Sequence, residues 1–426
     1  MPRLSAWLLL LLGLGPLWAT ASRETEEQDG AKDQCFQTRP VEAGALNLGQ
    51  KWGDPSPTAM LTIDLRMVTS AASSFEFRTF DPEGIVFYGD MSTSADWFVL
   101  GLRRGKPEMQ IHNRVTNISV SGGQRLNDGQ WHRIVVKNEG HSVMLEVDED
   151  DALTLRHVSH AIIQDPSFHV RIAVGGLLIP RGELLTPMNP AMDGCMRHWN
   201  WLNQSTEWPE EASLQGKGSK ACFATIRRGA FFPGDGRATF PLSGLPAGLG
   251  TDGESWSLAV EMQVRAPQQV GTLLAVSAAQ QTPVLSLKLQ GTDLVAQLGN
   301  QTAVLVPLPV GGCLDAPLAM HITPAHLTLR LGDRESAGQT EKPDFERLQH
   351  LWLGKDGRLD VGALPGQEET PQAQEGTFFR GCLREIRVQG HQLDFDAAQS
   401  RSNSIWAHSC PGDESHGTKP STDGGN

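Results

Sequence analysis

Two pairs of cysteines with matching spacing and matching neighbours constrain the fold more than any other feature of this chain. Cys195 and Cys222 are separated by 27 positions, and Cys382 and Cys410 are separated by 28. The first cysteine of each pair follows a glycine and precedes an apolar residue and then a basic one. We predict that each pair forms a disulfide, which adds about 3 kcal/mol of stability if the bond acts by restricting the unfolded chain.

The two cysteine units lie 187 positions apart, and the same offset aligns further parts of the chain. It places the apolar run 84–89 on 271–276 and the run 97–102 on 284–289. One such match arises easily by chance, but several in a single register indicate a tandem duplication. We therefore predict two similar domains, each ending in a disulfide-closed segment.

Short apolar or alternating runs separated by turn residues fill the chain. Residues 60–65, 75–80 and 131–136 are examples of such runs, and turn sequences such as 81–84 and 127–129 lie between them. The strands recur about every ten residues, which is typical of a β-sandwich. We predict an all-β fold, and no long segment with helical periodicity competes with this interpretation.

The amino terminus has the three parts of a secretory signal. Arg3 provides a positive start, residues 8–14 form an apolar run, and residues 19–21 form a small-residue cleavage sequence. The apolar run is shorter than the roughly 20 residues that span a bilayer. We predict removal of residues 1–21 and a secreted, extracellular protein without membrane insertion.

Export to an oxidising compartment fits the cysteines and three potential glycosylation sequences. Those Asn-X-Ser/Thr sequences begin at Asn117, Asn203 and Asn300. Cys35 and Cys313 fall outside the repeated pairs, so a bond with each other, bonds between chains and free thiols all stay open.

The charge balance and the missing catalytic motifs exclude several classes of function. The 426 residues include 36 Lys and Arg against 49 Asp and Glu, a formal net charge of −13, with no long basic run. An acidic chain of this kind does not favour nucleic acid as a partner. No Gly-X-Ser-X-Gly or His-Glu-X-X-His sequence is present, so we predict a binding protein without a catalytic cofactor, and not an enzyme.

Several motifs resemble a known family. Residues 73–90 and the Asp-Gly-Gln-Trp-His sequence at 128–132 resemble laminin G-like domains. More closely, residues 50–410 resemble the sex hormone-binding globulin family, with 96–98, 172–178 and 405–411 carrying the match. The resemblance implies a plasma carrier of androgens and estradiol that is built from two tandem laminin G-like sandwiches of the jelly-roll type and forms a homodimer through its first domain.

The resemblance also divides the chain into successive parts. These are a signal peptide at 1–21, an N-terminal segment at 22–49, a steroid-binding domain at 50–222, a second laminin G-like domain at 223–410 and a disordered tail at 411–426.

The resemblance implies that the steroid lies between the two sheets of the first domain. Ser73 would donate its hydroxyl to the oxygen on the A ring, Asp96 would accept from the hydroxyl on the D ring, and Asn113 would assist. The implied wall residues are Phe98, Val136, Val170 and Leu202. Without the resemblance, Ser73 is a polar strand-edge residue, Asp96 is a turn residue and the wall residues are ordinary core.

A calcium ion is implied near the steroid site. Asp81 would supply its side chain, and Glu83 and Ala191 their backbone carbonyls, because hard cations prefer oxygen ligands. A simple turn is the alternative for Asp81. A different function also stays open, because laminin G-like domains elsewhere act as adhesion or receptor-binding modules with calcium-dependent glycan or protein ligands. That function predicts a basic patch or a calcium-binding Asp in both domains, whereas the offset of 187 aligns Asp81 with Gln268.

Overall fold

The structure of this protein is a computed structural model. It describes residues 35–36, 42–68, 70–91, 96–139, 142–156, 169–190, 192–203, 220–248, 255–267, 269–278, 282–300, 302–365 and 378–412. The predicted signal peptide and most of the predicted tail, residues 413–426, lie outside these stretches. So do residues 205–219 of the polar stretch 205–220, which the sequence predicts to connect the domains.

The first domain is a sandwich of two antiparallel six-stranded sheets. One sheet has the order β1-β12-β3-β8-β9-β10, with β1 (Leu46–Asn47), β3 (Ala72–Thr79), β8 (His132–Asn138), β9 (Ser142–Val147), β10 (Asp150–Arg156) and β12 (Gly194–Asn200). The facing sheet has the order β2-β11-β4-β5-β6-β7, with β2 (Ala59–Asp64), β4 (Gly84–Asp90), β5 (Trp97–Arg103), β6 (Lys106–His112), β7 (Asn117–Ser121) and β11 (His169–Val174). Buried and less buried residues alternate along β2 and β9, because successive side chains point to opposite faces of a strand.

The second domain is a sandwich of two seven-stranded sheets. One sheet contains β14 (Ala230–Pro233), β25 (Arg380–Val388), β16 (Leu258–Ala266), β21 (Leu314–Ile322), β22 (His326–Leu331) and β23 (Arg334–Gln339) in that order, with β26 (His391–Gln392) paired to β25. The other contains β20 (Thr302–Pro307), β19 (Asp293–Leu298), β18 (Leu285–Gln290), β17 (Val270–Ala278), β24 (Gly357–Val361), β15 (Ala238–Pro241) and β27 (Ser400–Arg401) in that order. A separate pair, β13 (Ile226–Arg228) and β28 (Ser409–Pro411), joins the two ends of the domain.

The two sandwiches share one topology, which confirms the repeat and the all-β fold. Strands β3, β4, β5 and β12 of the first domain have the neighbours that β16, β17, β18 and β25 have in the second. The register agrees as well, because Cys195 pairs with Arg78 and Cys382 pairs with Arg265. Both residues of the second pair therefore lie 187 positions after their counterparts in the first.

One helix was not expected from the sequence. Helix α1 (Lys342–Gly354) connects β23 to β24 and buries Phe345, Leu348 and Trp352 in the core of the second domain. Pro343 lies in its first turn, where a missing amide hydrogen costs nothing, and Lys355 ends it in the left-handed conformation. No helix in the described stretches is long and apolar enough to cross a membrane.

The structure contains three disulfides within one chain. The bonds Cys195–Cys222 and Cys382–Cys410 confirm the two predicted pairs. The third bond joins Cys35 to Cys313 and so ties the N-terminal segment to the second domain.

The N-terminal segment also contributes to the first domain. Leu46 and Asn47 of β1 pair with Met196 and Cys195 of β12. The first domain therefore begins earlier than the predicted boundary at residue 50. A two-residue strand is too short to show a period in the sequence, so β1 has no sequence signal of its own.

Candidate functional site

The predicted ligand residues gather at one end of the first sandwich, where β3, β5 and β11 begin and β6 and β8 end; we call it the open end. Ser73 at the start of β3 lies opposite Val136 near the end of β8. In the facing sheet, Phe98 near the start of β5 lies opposite Ile111 near the end of β6. Antiparallel pairing thus brings together residues that are distant in the sequence.

Ser73 is buried at the open end and held by the chain that follows β12. Its hydroxyl oxygen accepts a hydrogen bond of 3.1 Å from the amide of Leu202, whose backbone is left-handed at φ 53°. The next amide, of Asn203, donates to the carbonyl of Ala72 at 3.0 Å. The Ser73 oxygen is thus an acceptor toward Leu202, and its own O–H can donate to another group.

Asp96 lies immediately before β5 and is half-buried. Its Oδ1 atom is buried and has no hydrogen-bond partner among the described residues. A buried polar atom without a partner costs free energy, and the cost is greater for a charged group. A hydroxyl donated by a ligand would remove this cost.

Asn113 closes the turn between β6 and β7. Its side-chain oxygen accepts hydrogen bonds from the amides of Val115 and Thr116, at 2.9 and 2.7 Å. This oxygen therefore has a local structural role, which the sequence analysis did not foresee. The predicted assistance to a ligand stays a prediction, and it does not rest on this atom.

The apolar residues of the open end are less buried than the rest of the core. Val136 is 8% exposed, whereas Phe98, Val170 and Leu202 are only half-buried while still packing against the core. Deeper core residues are at most 2% exposed, among them Phe75, Phe77, Ile134, Leu145 and Trp201. Half-exposed apolar walls at the mouth of a packed sandwich suit an apolar ligand.

Gly89 is a member of this site that the sequence analysis missed. It lies on β4 and pairs with Phe98 of β5 on one side and Ile172 of β11 on the other. Phe87, two residues earlier on β4, belongs to the core. A Cβ atom built on Gly89 would meet only the carbonyl oxygen of Arg171, at 3.7 Å. The facing sheet therefore has a gap in its inner surface at this position.

The three predicted glycosylation asparagines are exposed. Asn117 begins the edge strand β7, Asn203 follows β12 and Asn300 lies in the second domain before β20. Exposure is the condition for glycan attachment, and attachment itself stays a prediction.

Asp81, the predicted calcium ligand, lies far from the open end and so is not beside the predicted steroid residues, where the sequence analysis expected it. It follows the other end of β3, and an eight-residue strand spans about 26 Å. Its Oδ1 accepts from the amide of Glu83 at 3.0 Å and its Oδ2 from the amide of Asp193 at 2.9 Å. Ala191 lies outside the described residues.

A histidine of the second domain lies beside Asp81. The Nε2 atom of His408 is 3.6 Å from Oδ1 of Asp81 and 2.9 Å from Oδ2 of Asp396. Burial lowers the pKa of His408, but Asp81 and Asp396 outweigh burial and hold the pKa above its usual value. Asp81, Asp396 and His408 could offer three ligand atoms within 4.8 Å of one another, and calcium binding by Asp81 stays a prediction.

Comparisons with known proteins agree with this architecture. A family model described as Laminin G domain matches residues 77–207. The chain is 36% identical to sex hormone-binding globulin of Oryctolagus cuniculus over 388 residues, which cover 91% of this chain and 92% of that protein. It is 38% identical to sex hormone-binding globulin of Homo sapiens over 365 residues, 86% of each chain. Among solved structures, domains LG4-5 of the mouse laminin alpha1 chain align with a TM-score of 0.62 at 19% identity, over 89% of this chain and 98% of that one, which supports the fold alone.

Proposed function

The chain belongs to the sex hormone-binding globulin family, and from this premise we propose that it is a carrier that binds a sex steroid across the open end of its first domain. A steroid is a rigid apolar slab with a polar group at each end, so its site needs apolar walls and two separated hydrogen-bonding groups. Ser73 on one sheet and Asp96 beside the facing sheet are such a pair. Facing sheets lie about 10 Å apart, so the ligand would bridge them.

The unpaired Oδ1 atom of Asp96 is the observation that carries this proposal. The carboxylate can only accept, so it selects a ligand end that donates, such as a hydroxyl on the D ring. The Ser73 hydroxyl can donate, so it suits a carbonyl or hydroxyl oxygen on the A ring. Asp96 and Ser73 would thus determine which end of the steroid lies at each sheet.

The apolar walls supply most of the affinity, and the anchors supply orientation. Covering apolar surface yields about 25 cal/mol per Å², and a steroid presents several hundred Å². A neutral hydrogen bond adds only about 1 kcal/mol net, and one to a charged group about 1.5–3. The wall would consist of the half-buried Phe98, Val170 and Leu202 and the buried Val136, and Gly89 leaves room beside them.

We propose that the carrier works outside the cell, where it would regulate the availability of its steroid. Three disulfides support an oxidising compartment. Three exposed glycosylation asparagines agree with it. A homodimer through the first domain would use an edge strand, β7 or β10. A glycan on Asn117 would lie at the β7 edge.

Equilibrium dialysis of the full chain with a radiolabelled 17β-hydroxyandrogen tests the proposal. We expect saturable binding of one steroid per chain, and Asp96→Asn should weaken it about 10- to 100-fold, the loss of a hydrogen bond to a charged group. Ser73→Ala should weaken it about fivefold. Asp151→Asn, an exposed acid of the same domain, should bind like the wild type.

Two results would decide against parts of this proposal. A folded wild type without saturable steroid binding would remove the carrier function and favour the adhesion or receptor-binding module. If steroid binds but both anchor variants match the wild type, the carrier function survives and the assignment of Ser73 and Asp96 is wrong.

A further inference from the structure

Four side chains lie side by side on the outer face of the facing sheet, at the open end. They are Arg171 on β11, Asp90 on β4, Trp97 on β5 and His112 on β6, and we call them the outer row. Each is the cross-strand neighbour of the next. Successive residues of a strand point to opposite faces, so the outer row alternates along these strands with residues of the predicted steroid wall.

The members of the outer row contact one another directly. Nε of Arg171 donates to Oδ1 of Asp90 at 2.8 Å, and the hydroxyl of Tyr88 donates to Oδ2 of Asp90 at 2.7 Å. The Trp97 ring is buried and stacks on the His112 ring, with centroids 5.3 Å apart and planes inclined by 19°. The Tyr88 ring lies 6.5 Å from the Trp97 ring. An ion pair, a hydrogen bond and stacked rings thus join the ends of four neighbouring strands.

The inner face of the same strands is sparsely packed at this end. Gly89 on β4 has no side chain, and Phe98 on β5 and Val170 on β11 are only half-buried. Local stability follows the number of buried contacts, so strand ends with few inner contacts depend on contacts at the outer face to keep one position.

The second domain has the same strands without the carboxylate and the stacked rings. Its residues at the four positions, 187 places further along the chain, are Ser277, Val284, Gly299 and Arg358. Only the arginine is retained. The interior of the second domain is filled at the matching end, where the buried Val276 takes the place of Gly89. The outer row therefore accompanies the sparsely packed interior of the first domain and is not required by the fold.

Asp96 is tied to the outer row because it immediately precedes Trp97. Its carbonyl accepts a hydrogen bond of 3.4 Å from the amide of Met91, the residue after Asp90. We propose that the outer row, through Trp97, positions Asp96 for the ligand hydroxyl, so that recognition of the steroid depends on side chains at the opposite face of the sheet. This inference rests on the proposed steroid site, and it makes Trp97 a positioning residue for Asp96.

Equilibrium dialysis of the full chain with two androgens that differ only at carbon 17 tests this inference. A 17β-hydroxyl can donate to Asp96 and a 17-ketone cannot, so the ratio of the two affinities reports on the position of Asp96. Trp97→Leu should weaken binding of the hydroxyl androgen about tenfold and binding of the ketone less than about threefold. In the Asp96→Ala background, Trp97→Leu should weaken binding of either androgen less than about threefold, because the residue that it positions is gone.

Trp256→Leu is the matched control. Trp256 is a buried tryptophan of the second domain, and its ring packs on Phe345 with centroids 5.4 Å apart. The variant should lose stability in urea unfolding and keep the wild-type ratio of affinities. If Trp97→Leu does not fold, His112→Gln, which removes the half-buried stacked ring, should shift the ratio in the same direction by about threefold.

Three outcomes would overturn the inference. Equal weakening of both androgens by Trp97→Leu, with the same loss in the Asp96→Ala background, would show that Trp97 supports the whole domain and does not act through Asp96. A wild-type ratio of affinities in both Trp97→Leu and His112→Gln would show that the outer row has no part in recognition. A folded wild type that binds neither androgen would remove the proposed function, and this inference with it.

Discussion

The first and second domains have the same strands in the same order, yet their interiors differ at one end. Ser73, Gly89 and Phe98 of the first domain occupy the register positions of Val260, Val276 and Leu285 in the second. The three second-domain residues are at most 1% exposed. At these three positions the second sandwich is filled by branched apolar side chains. The first has the hydroxyl of Ser73, no side chain at Gly89 and the half-exposed ring of Phe98 instead.

Helix α1 also fills the interior of the second domain. It connects β23 to β24 and places Trp352 and Phe345 against Trp256, with ring centroids 6.4 and 5.4 Å apart. The corresponding connection in the first domain, residues 157–168, lies outside the described residues. If the proposed carrier function is correct, one backbone serves as a packed support or as a binding site, depending on a few inward side chains.

Truncating Trp352, which packs in the core of the second domain, should give the largest effect on stability. Trp352 is 1% exposed and donates its ring N–H to the carbonyl of Pro246 at 2.9 Å. Trp352→Ala should lower the free energy of unfolding by about 3–5 kcal/mol in urea denaturation. The neighbouring Leu353 is exposed, and Leu353→Ala should cost less than about 0.5 kcal/mol. Steroid binding by folded Trp352→Ala should equal that of the wild type, and a loss would show that the second domain shares the site.

Exchanging the inward residues of β4 and β17 should give the next largest effect. Gly89→Val fills the gap with the residue that the second domain has there, so steroid affinity should fall about 100-fold, or roughly 2.8 kcal/mol, without loss of stability. The reverse change, Val276→Gly, should cost about 2–4 kcal/mol of folding free energy and leave steroid affinity unchanged. Dialysis and urea unfolding measure the two effects. Unchanged affinity in Gly89→Val would move the ligand away from this strand.

The sequence predicted the duplication, the sandwich class and two disulfides, because each depends on local spacing. The family resemblance also singled out Ser73 and Asp96, which lie together at the open end of the first domain, and their role in binding stays a prediction. The helix was missed although Phe345, Leu348 and Trp352 have helical spacing, because three apolar residues in a polar stretch are a weak signal.

Three other features depend on contacts that no local pattern contains. Gly89 is one of 45 glycines, and its inward direction appears only when the strand register is known. The pairing of Cys35 with Cys313 spans 278 positions and leaves no spacing to recognise. The contact of His408 with Asp81 forms between the two domains, so no pattern within the first domain indicates it.

The smallest expected effect concerns a charge pair that only the first domain has. His132 of β8 bonds Asp148 at 2.7 Å and Asp128 at 3.0 Å, whereas the second domain has Ala316 at the matching register position. Burial lowers the pKa of His132, but the two carboxylates outweigh it and raise the pKa above its usual 6.5. A raised pKa means that the charged ring stabilises the folded state below pH 6.5 and that this stability is lost as the pH rises through the folded-state pKa.

Urea unfolding of the wild type and His132→Gln at pH 6 and pH 9 checks this expectation. The wild type should be more stable at pH 6 by less than about 1 kcal/mol, because both carboxylates are largely exposed and screened by solvent. At pH 9 the difference should shrink, and Asp148→Asn should reduce its dependence on pH because the nearer carboxylate is gone. If the difference in unfolding free energy instead grows with pH, the neutral ring of His132 is the form that stabilises the folded state. The first domain would then, like the second, have no stabilising charge at this position.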